Sequence, residues 1–180
     1  DHAHVGCVAR AAEARPSVWV QCPTCEQHWS GPFMLALCRA RHERAVGLPE
    51  TDGERLLASR NLSQALRIEG LYDEALRLGR ATLTTRRQAL GREHPETLTA
   101  MLTLAATLGD SGDLEAALTV QTELVATSRR VRGDDHADTL TAVANLAATH
   151  NRMGNHCLAV PLYQEALDVR RLVGDGHAET

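Results

Sequence analysis

Apolar residues along this chain recur with a helical period, not the alternation of a strand. From Leu98 onward they fall at Leu98, Met101, Leu102, Ala105 and Leu108. Steps of three and four place such residues on one stripe of a helix. The run breaks at "GDSGD", and a second stripe follows at Leu114, Ala117, Leu118, Leu124 and Val125. Ahead of the first stripe, Pro95 suits the first helical position, where its missing N–H loses no partner. Glu96 suits the positive end of the helix dipole. The local unit is helix, tight turn, helix.

That unit recurs. "GREHPETLTAMLTLAA" begins at Gly91, "GDDHADTLTAVANLAA" at Gly133 and "GDGHAET" at Gly174. His94 and His136 are 42 residues apart, and His136 and His177 are 41 apart. Gly70, Gly112 and Gly154 also stand 42 apart, with Ala75, Ala117 and Ala159 five residues after them and Leu62, Leu104 and Leu146 eight before. A diverged copy therefore starts near Glu50. The small alanines allow two helices to approach closely. Pro161 falls inside the last second helix and is expected to kink it or move its start. "SGPFMLALCRARHERAVGL", residues 30 to 48, reads as an amphipathic connecting helix, with Phe33, Leu35, Leu37 and Val46 capping the first repeat.

Composition narrows the fold class. Apolar residues make up 43% of the chain but aromatics only 3%. A core of Ala, Leu and Val suits close-packed helices better than stacked strands. The net charge is −4 and all 19 basic residues are Arg, so nothing draws the chain to nucleic acid or to a membrane surface. No apolar run reaches the ~20 residues that span a bilayer. Asp1 at the start and a linker motif at the end lead to the expectation of an internal piece with further repeats beyond it. Five cysteines, three of them before residue 26 and close to histidines, favour a metal over a disulfide framework, and a reduced, cytoplasmic compartment.

Two helices per 42 residues would also suit HEAT repeats. The order of markers decides otherwise: Leu, a small residue, Gly eight after the Leu, an aromatic or Leu, then Ala. It resembles the tetratricopeptide repeat. The stretch "NLAATHNRMGNHCLAVPLYQEALDVRRLVGDGHAET" is similar to the 42-residue form found in kinesin light chains. The resemblance covers residues 50 to 180 and implies an all-α, right-handed solenoid of helical hairpins. Its repeats would occupy about 49–90, 91–132 and 133–173, followed by the start of a fourth. They would come after a connecting helix at 31–48 and a small cysteine-rich, zinc-finger-like segment at 1–30. It further implies a groove lined by the first helices. Arg60, Asn61, Gln64 and Arg67 would face it from the first unit, Leu102, Thr103 and Ala106 from the second, and Ala144, Asn145, Ala148 and Asn151 from the third. In the resembling families an Asn one before the core Leu clamps the backbone of an extended peptide. Asn61 and Asn145 match, and Thr103 departs. The two arginines would favour an acidic peptide or a C-terminal carboxylate.

Candidate metal chemistry lies in "HVGCVARAAEARPSVWVQCPTCEQHW", residues 4 to 29. Zinc takes about four N or S ligands at ~2.0–2.3 Å. His4 and Cys7 form one H-x2-C arm and Cys22 and Cys25 a C-x2-C knuckle, together a complete single-ion set. The same four residues resemble the last four ligands of a RING-CH zinc finger. That family's cross-bracing would assign His4 and Cys7 to one zinc and Cys22 and Cys25 to another, with two ligands missing from each. Thiols without metal are the third reading. His28 is a substitute ligand or a loop histidine. Cys38 and His42, one helical turn apart, are a metal pair or a packed cysteine beside an exposed histidine. His94, His136 and His177 stand about 10 Å or more apart on helix-packing distances and are linker residues. The Arg doublets at 86–87, 129–130 and 170–171 complement helix dipoles and neighbouring acids.

No phosphate-binding loop, no HExxH and no nucleophile with a matched base is present. The sequence points to a non-enzymatic scaffold binding a peptide or partner protein. The alternative is a piece of a RING-CH ubiquitin ligase, whose finger recruits a ubiquitin-conjugating enzyme and whose repeats recruit substrate. A kinesin-type cargo adaptor would need a coiled coil upstream.

Overall fold

The computed structural model describes residues 31–175, with side chains through Val169. Among the described residues there are seven helices and no strand: α1 (Gly31–Ala45), α2 (Gly53–Ile68), α3 (Tyr72–Ala89), α4 (Pro95–Ser111), α5 (Leu114–Arg132), α6 (Ala137–Arg152) and α7 (His156–Asp175). The order is that of successive helical hairpins. Two compact units divide the chain between Thr85 and Arg86.

Each first helix opens on the same capped turn. At α2, Asp52 Oδ1 accepts from the backbone N–H of Glu54 at 2.9 Å. Forty-two residues on, His94 Nδ1 accepts from Glu96 N–H at 3.2 Å, and after another 42, His136 Nδ1 accepts from Asp138 N–H at 3.1 Å. The linker histidines are therefore N-caps, satisfying an amide that the helix leaves without a partner. Only a ring nitrogen without its proton can do this. Thr97 ties the linker down further, its hydroxyl donating to Gly91 O at 2.8 Å. The opposite end of α4 closes on Gly112 in the left-handed conformation (φ 92), as do the equivalent turns at Gly70 and Gly154 (φ 72 and 79).

In the first unit, α1 packs on α2. Leu35 and Cys38 of α1 cluster with Leu62, Ala65 and Leu66 of α2 and Ala75 of α3. Of the residues expected to cap the first repeat, Leu35 and Leu37 are buried, Phe33 is half-buried and Val46 is exposed. Arg41 takes a buried place instead. It reaches both carboxylate oxygens of Glu54, at 2.6 and 2.7 Å, so the charge leaves water with its partner attached.

In the second unit, α4 packs on α5, α5 on α6 and α6 on α7, and α4 also touches α6. Leu98, Met101, Ala105 and Leu108 of α4 are buried with Ala117, Leu124 and Val125 of α5 and Leu140, Val143, Leu146 and Ala147 of α6. Ala75, Ala117 and Ala159 are all almost fully buried, the marker positions where bulk would push helices apart. Thr107 and Thr149 are buried hydroxyls, and each donates back four residues along its own helix, to Thr103 O and Asn145 O. Pro161 neither ends α7 nor moves its start, since α7 begins at His156 and runs through it. Pro161 simply gives no N–H to the carbonyl of Cys157.

The doublet arginines at 86–87 and 129–130 are engaged. Arg87 Nη2 reaches both oxygens of Glu123 at 2.9 Å, and the pair 42 residues later, Arg129 and Glu165, repeats that bridge between second helices. Arg130 meets Glu93 at 2.5 Å. Arg86 is buried, its Nη1 donating to Glu96 O at 3.2 Å. These contacts fit the expected pairing with helix ends and acids, with Arg86 more deeply buried than a surface reading implies.

Candidate partner-binding faces of the first helices

The 42-residue period brings three sets of equivalent positions to the side of α2, α4 and α6 opposite each buried stripe. The sets are Arg60, Leu102 and Ala144; Asn61, Thr103 and Asn145; and Gln64, Ala106 and Ala148. A helix turns 100° per residue, so positions at i, i+1 and i+4 share one face.

In the second unit this face is uncharged and made of short side chains. Leu102, Thr103, Ala106, Ala144, Asn145 and Ala148 are all half-buried. Thr103 turns its hydroxyl inward to Thr99 O at 3.0 Å, so what it presents outward is chiefly a methyl group. Asn145 carries the carboxamide of this face. Asn151, also expected on the groove, is exposed, and its Oδ1 meets His156 Nδ1 at 2.8 Å. It occupies the position of Arg67 and Gly109, at the edge of the face. Beside it, Arg152 Nη1 donates to Gly109 O at 2.7 Å, joining the ends of α6 and α4.

In the first unit the same face of α2 is polar and basic. Arg60 and Gln64 are exposed, and Asn61 and Arg67 are half-buried. Arg67 is not a free cation, because it is already engaged within the protein. Arg60 is the exposed arginine of the two.

A cavity of about 320 Å³ also lies in the first unit, lined by Arg39, His42 and Glu43 of α1, Leu62 and Leu66 of α2, and Glu74 and Leu78 of α3. Arg39 and Glu74 bridge it at 2.6 Å. Burial lowers the pKa of His42, helped by the charge of Arg55 and opposed by Glu43 and Glu50. Burial also raises the pKa of the Cys38 thiol, with Arg41 working the other way. Desolvation disfavours the charged form in both cases. Cys38 is the packed cysteine, and His42 is half-buried beside it. Among the described residues, no group of three or more His, Cys, Asp or Glu is arranged to hold a metal ion.

His4, Cys7, Cys22, Cys25 and His28 lie outside the described residues, and with them the zinc and RING-CH readings. So do His177 and the side chains of Arg170 and Arg171. Two features escaped the sequence reading. The capping histidines were legible in principle, since their equivalent in the first repeat is Asp52, a common cap residue. The basic character of α2 against the neutral face of α4 and α6 appears only when the three helices are put in register.

The family model for the tetratricopeptide repeat matches residues 54–129 and 108–172. No curated protein sequence matches the chain. Among solved structures, the kinesin-light-chain-like protein of Podosopora anserina with nearly identical TPR-like repeats superimposes with a TM-score of 0.63 at 20% identity, covering 93% of this chain and 89% of that one. A point variant of that same protein gives a TM-score of 0.64 at 21% identity, covering 94% and 90%. BtubC (BKLC) from P. vanneervenii gives 0.64 at 18% identity, covering 93% of this chain and 69% of that one. At such identities the likeness is one of fold.

Proposed function

The chain belongs to the tetratricopeptide-repeat family, a family of protein-interaction scaffolds, and from that premise we propose that it holds an extended segment of a partner protein against its first helices. The observation that carries this reading is the neutral, short-side-chain face of α4 and α6. Alanines at 106, 144 and 148 leave room for a backbone to come close, and the Asn145 carboxamide offers both a donor and an acceptor to a peptide bond. Charged side chains would lose their hydration there without a partner, so the segment on this face is uncharged. The first unit carries a face of its own: at α2, the exposed Arg60 with Gln64 beside it suits a carboxylate, from an acidic side chain or a chain terminus.

The test uses fluorescently labelled extended peptides, acidic, neutral and basic, titrated into the 180-residue chain. Asn145→Ala is expected to weaken binding of every peptide. Arg60→Glu is expected to remove the preference for acidic ones. Both substitutions lie off the buried stripes, so the melting temperature serves as the control. Binding that ignores both substitutions would rule the reading out.

A further inference from the structure

Counting back 42 residues from α3, and twice that from α5, sets α1 against them. Leu37 and Arg41 are buried, as are Leu83, Gln121 and Val125 at the equivalent positions. The cavity of about 320 Å³ lies between α1, α2 and α3. Leu62, Leu66 and Leu78 line it with apolar surface, and Arg39, His42, Glu43 and Glu74 with polar groups. Helix packing does not require those polar groups. At the positions of Arg39, His42 and Glu43, α3 carries Ala81, Thr84 and Thr85, and α5 carries Glu123, Ala126 and Thr127. Glu74 stands where the next two repeats have Ala116 and Leu158. A lining with a histidine and ions of both signs is particular to this cavity.

Its charges choose the ligand. Arg39 and Glu74 neutralise each other at 2.6 Å. Glu43 is exposed and, among the described residues, has no ion-pair partner. The half-buried His42 ring makes no hydrogen bond among the described residues either. Burial favours the neutral ring, which keeps one nitrogen as an acceptor. An anion would face Glu43 and have to displace Glu74 from Arg39. A cation meets a free carboxylate and a ring acceptor.

We propose that this cavity binds a small free amine, an aromatic ring on a short stem that ends in an ammonium group. The ring lies among Leu62, Leu66 and Leu78, and the ammonium group donates to Glu43 and His42. The size agrees. A cavity of about 150 Å³ holds benzene, so about 320 Å³ takes a ring with its stem. The slim stem of a partner's lysine would leave much of that space unfilled. Leu62 and Leu66 lie about 200° round α2 from Arg60 and Gln64, so the proposal does not rest on the reading of the first-helix faces.

The test titrates phenethylamine, phenethyl alcohol and hydrocinnamate into the isotope-labelled 180-residue chain and follows its amide resonances. Phenethylamine should give saturable shifts in α1, α2 and α3 at about millimolar affinity. The alcohol should bind about three- to fivefold more weakly, the range of an exposed ion pair, and hydrocinnamate not at all. Glu43→Gln changes an exposed, unpaired residue and should bring the amine down to the affinity of the alcohol. Leu78→Phe fills the apolar end and should abolish binding, with the melting temperature as the control; Glu43→Gln alone decides if that variant fails to fold. No saturation by the amine at about 10 mM overturns the proposal. Equal binding of hydrocinnamate overturns it too, as does a preference for the amine that survives Glu43→Gln. An N-acetylated lysine peptide that shifts the same amides while phenethylamine does not would assign the cavity to a partner's side chain, and that also overturns it.

Discussion

Gly109 and Gly112 sit three residues apart at the end of α4, and replacing each with alanine should move stability in opposite directions. Gly112 closes the helix at φ 92, and a Cβ there would meet nothing within 4 Å. Crowding is thus removed from the question, and only the backbone conformation remains. An L-residue in the left-handed region costs about 1–2 kcal/mol. The lower entropy of the unfolded alanine chain returns about 0.4–1 kcal/mol. Gly112→Ala should therefore destabilise by up to about 1.6 kcal/mol. Gly109 is within the helix, and its Cβ would lie 3.5 Å from Arg152 Nη1, an ordinary contact. Gly109→Ala should stabilise by about 0.5–1 kcal/mol, the usual difference between the two residues in a helix interior. The bond from Arg152 uses the carbonyl of Gly109 and survives the change. Thermal unfolding followed by circular dichroism reads the difference. A chain of this size shifts by about 2–4 °C per kcal/mol, so the two variants should separate by several degrees. Gly112→Asn, which tolerates the left-handed region better, should fall between Gly112→Ala and the natural chain. If Gly112→Ala melts at or above Gly109→Ala, the turn does not need its glycine and the reasoning fails.

Replacing the capping His94 with alanine should cost about 0.5–2 kcal/mol, and replacing it with aspartate, the residue at the equivalent position 52, should cost little or stabilise; equal losses in both would show that the ring does not cap α4. Because burial depresses the pKa of His42, the unfolded chain binds more protons between the folded value and the ordinary 6.5. Stability should be full above that ordinary value and fall as pH drops through it. Denaturant midpoints measured from neutral to mildly acidic pH should show a shallower fall in His42→Gln; an unchanged slope would refute the assignment. For residues 1 to 30, the single-ion reading requires that metal analysis of the purified chain find zinc that Cys22→Ser/Cys25→Ser loses, and a natural chain without zinc would end that reading.

The sequence by itself determined the helical hairpin and its 42-residue period. A period of three and four, glycines where the backbone turns left-handed, and alanines where helices meet are local requirements, each readable from a few neighbouring residues. Their recurrence is enough to mark the family. What a side chain does once the helices are packed was not local, and the tertiary structure decided it. Asn151 pairs with His156 across the turn between α6 and α7. Arg86 ended a helix in the sequence and is buried against Glu96 in the fold. Arg41 is buried because Glu54, 13 residues away, meets its fork. Val160, Tyr163 and Leu167 are apolar or aromatic, and only the arrangement of the helices shows that they stand exposed. Periodicity tells which face of a helix is apolar; which neighbour covers that face depends on contacts between residues far apart in the chain.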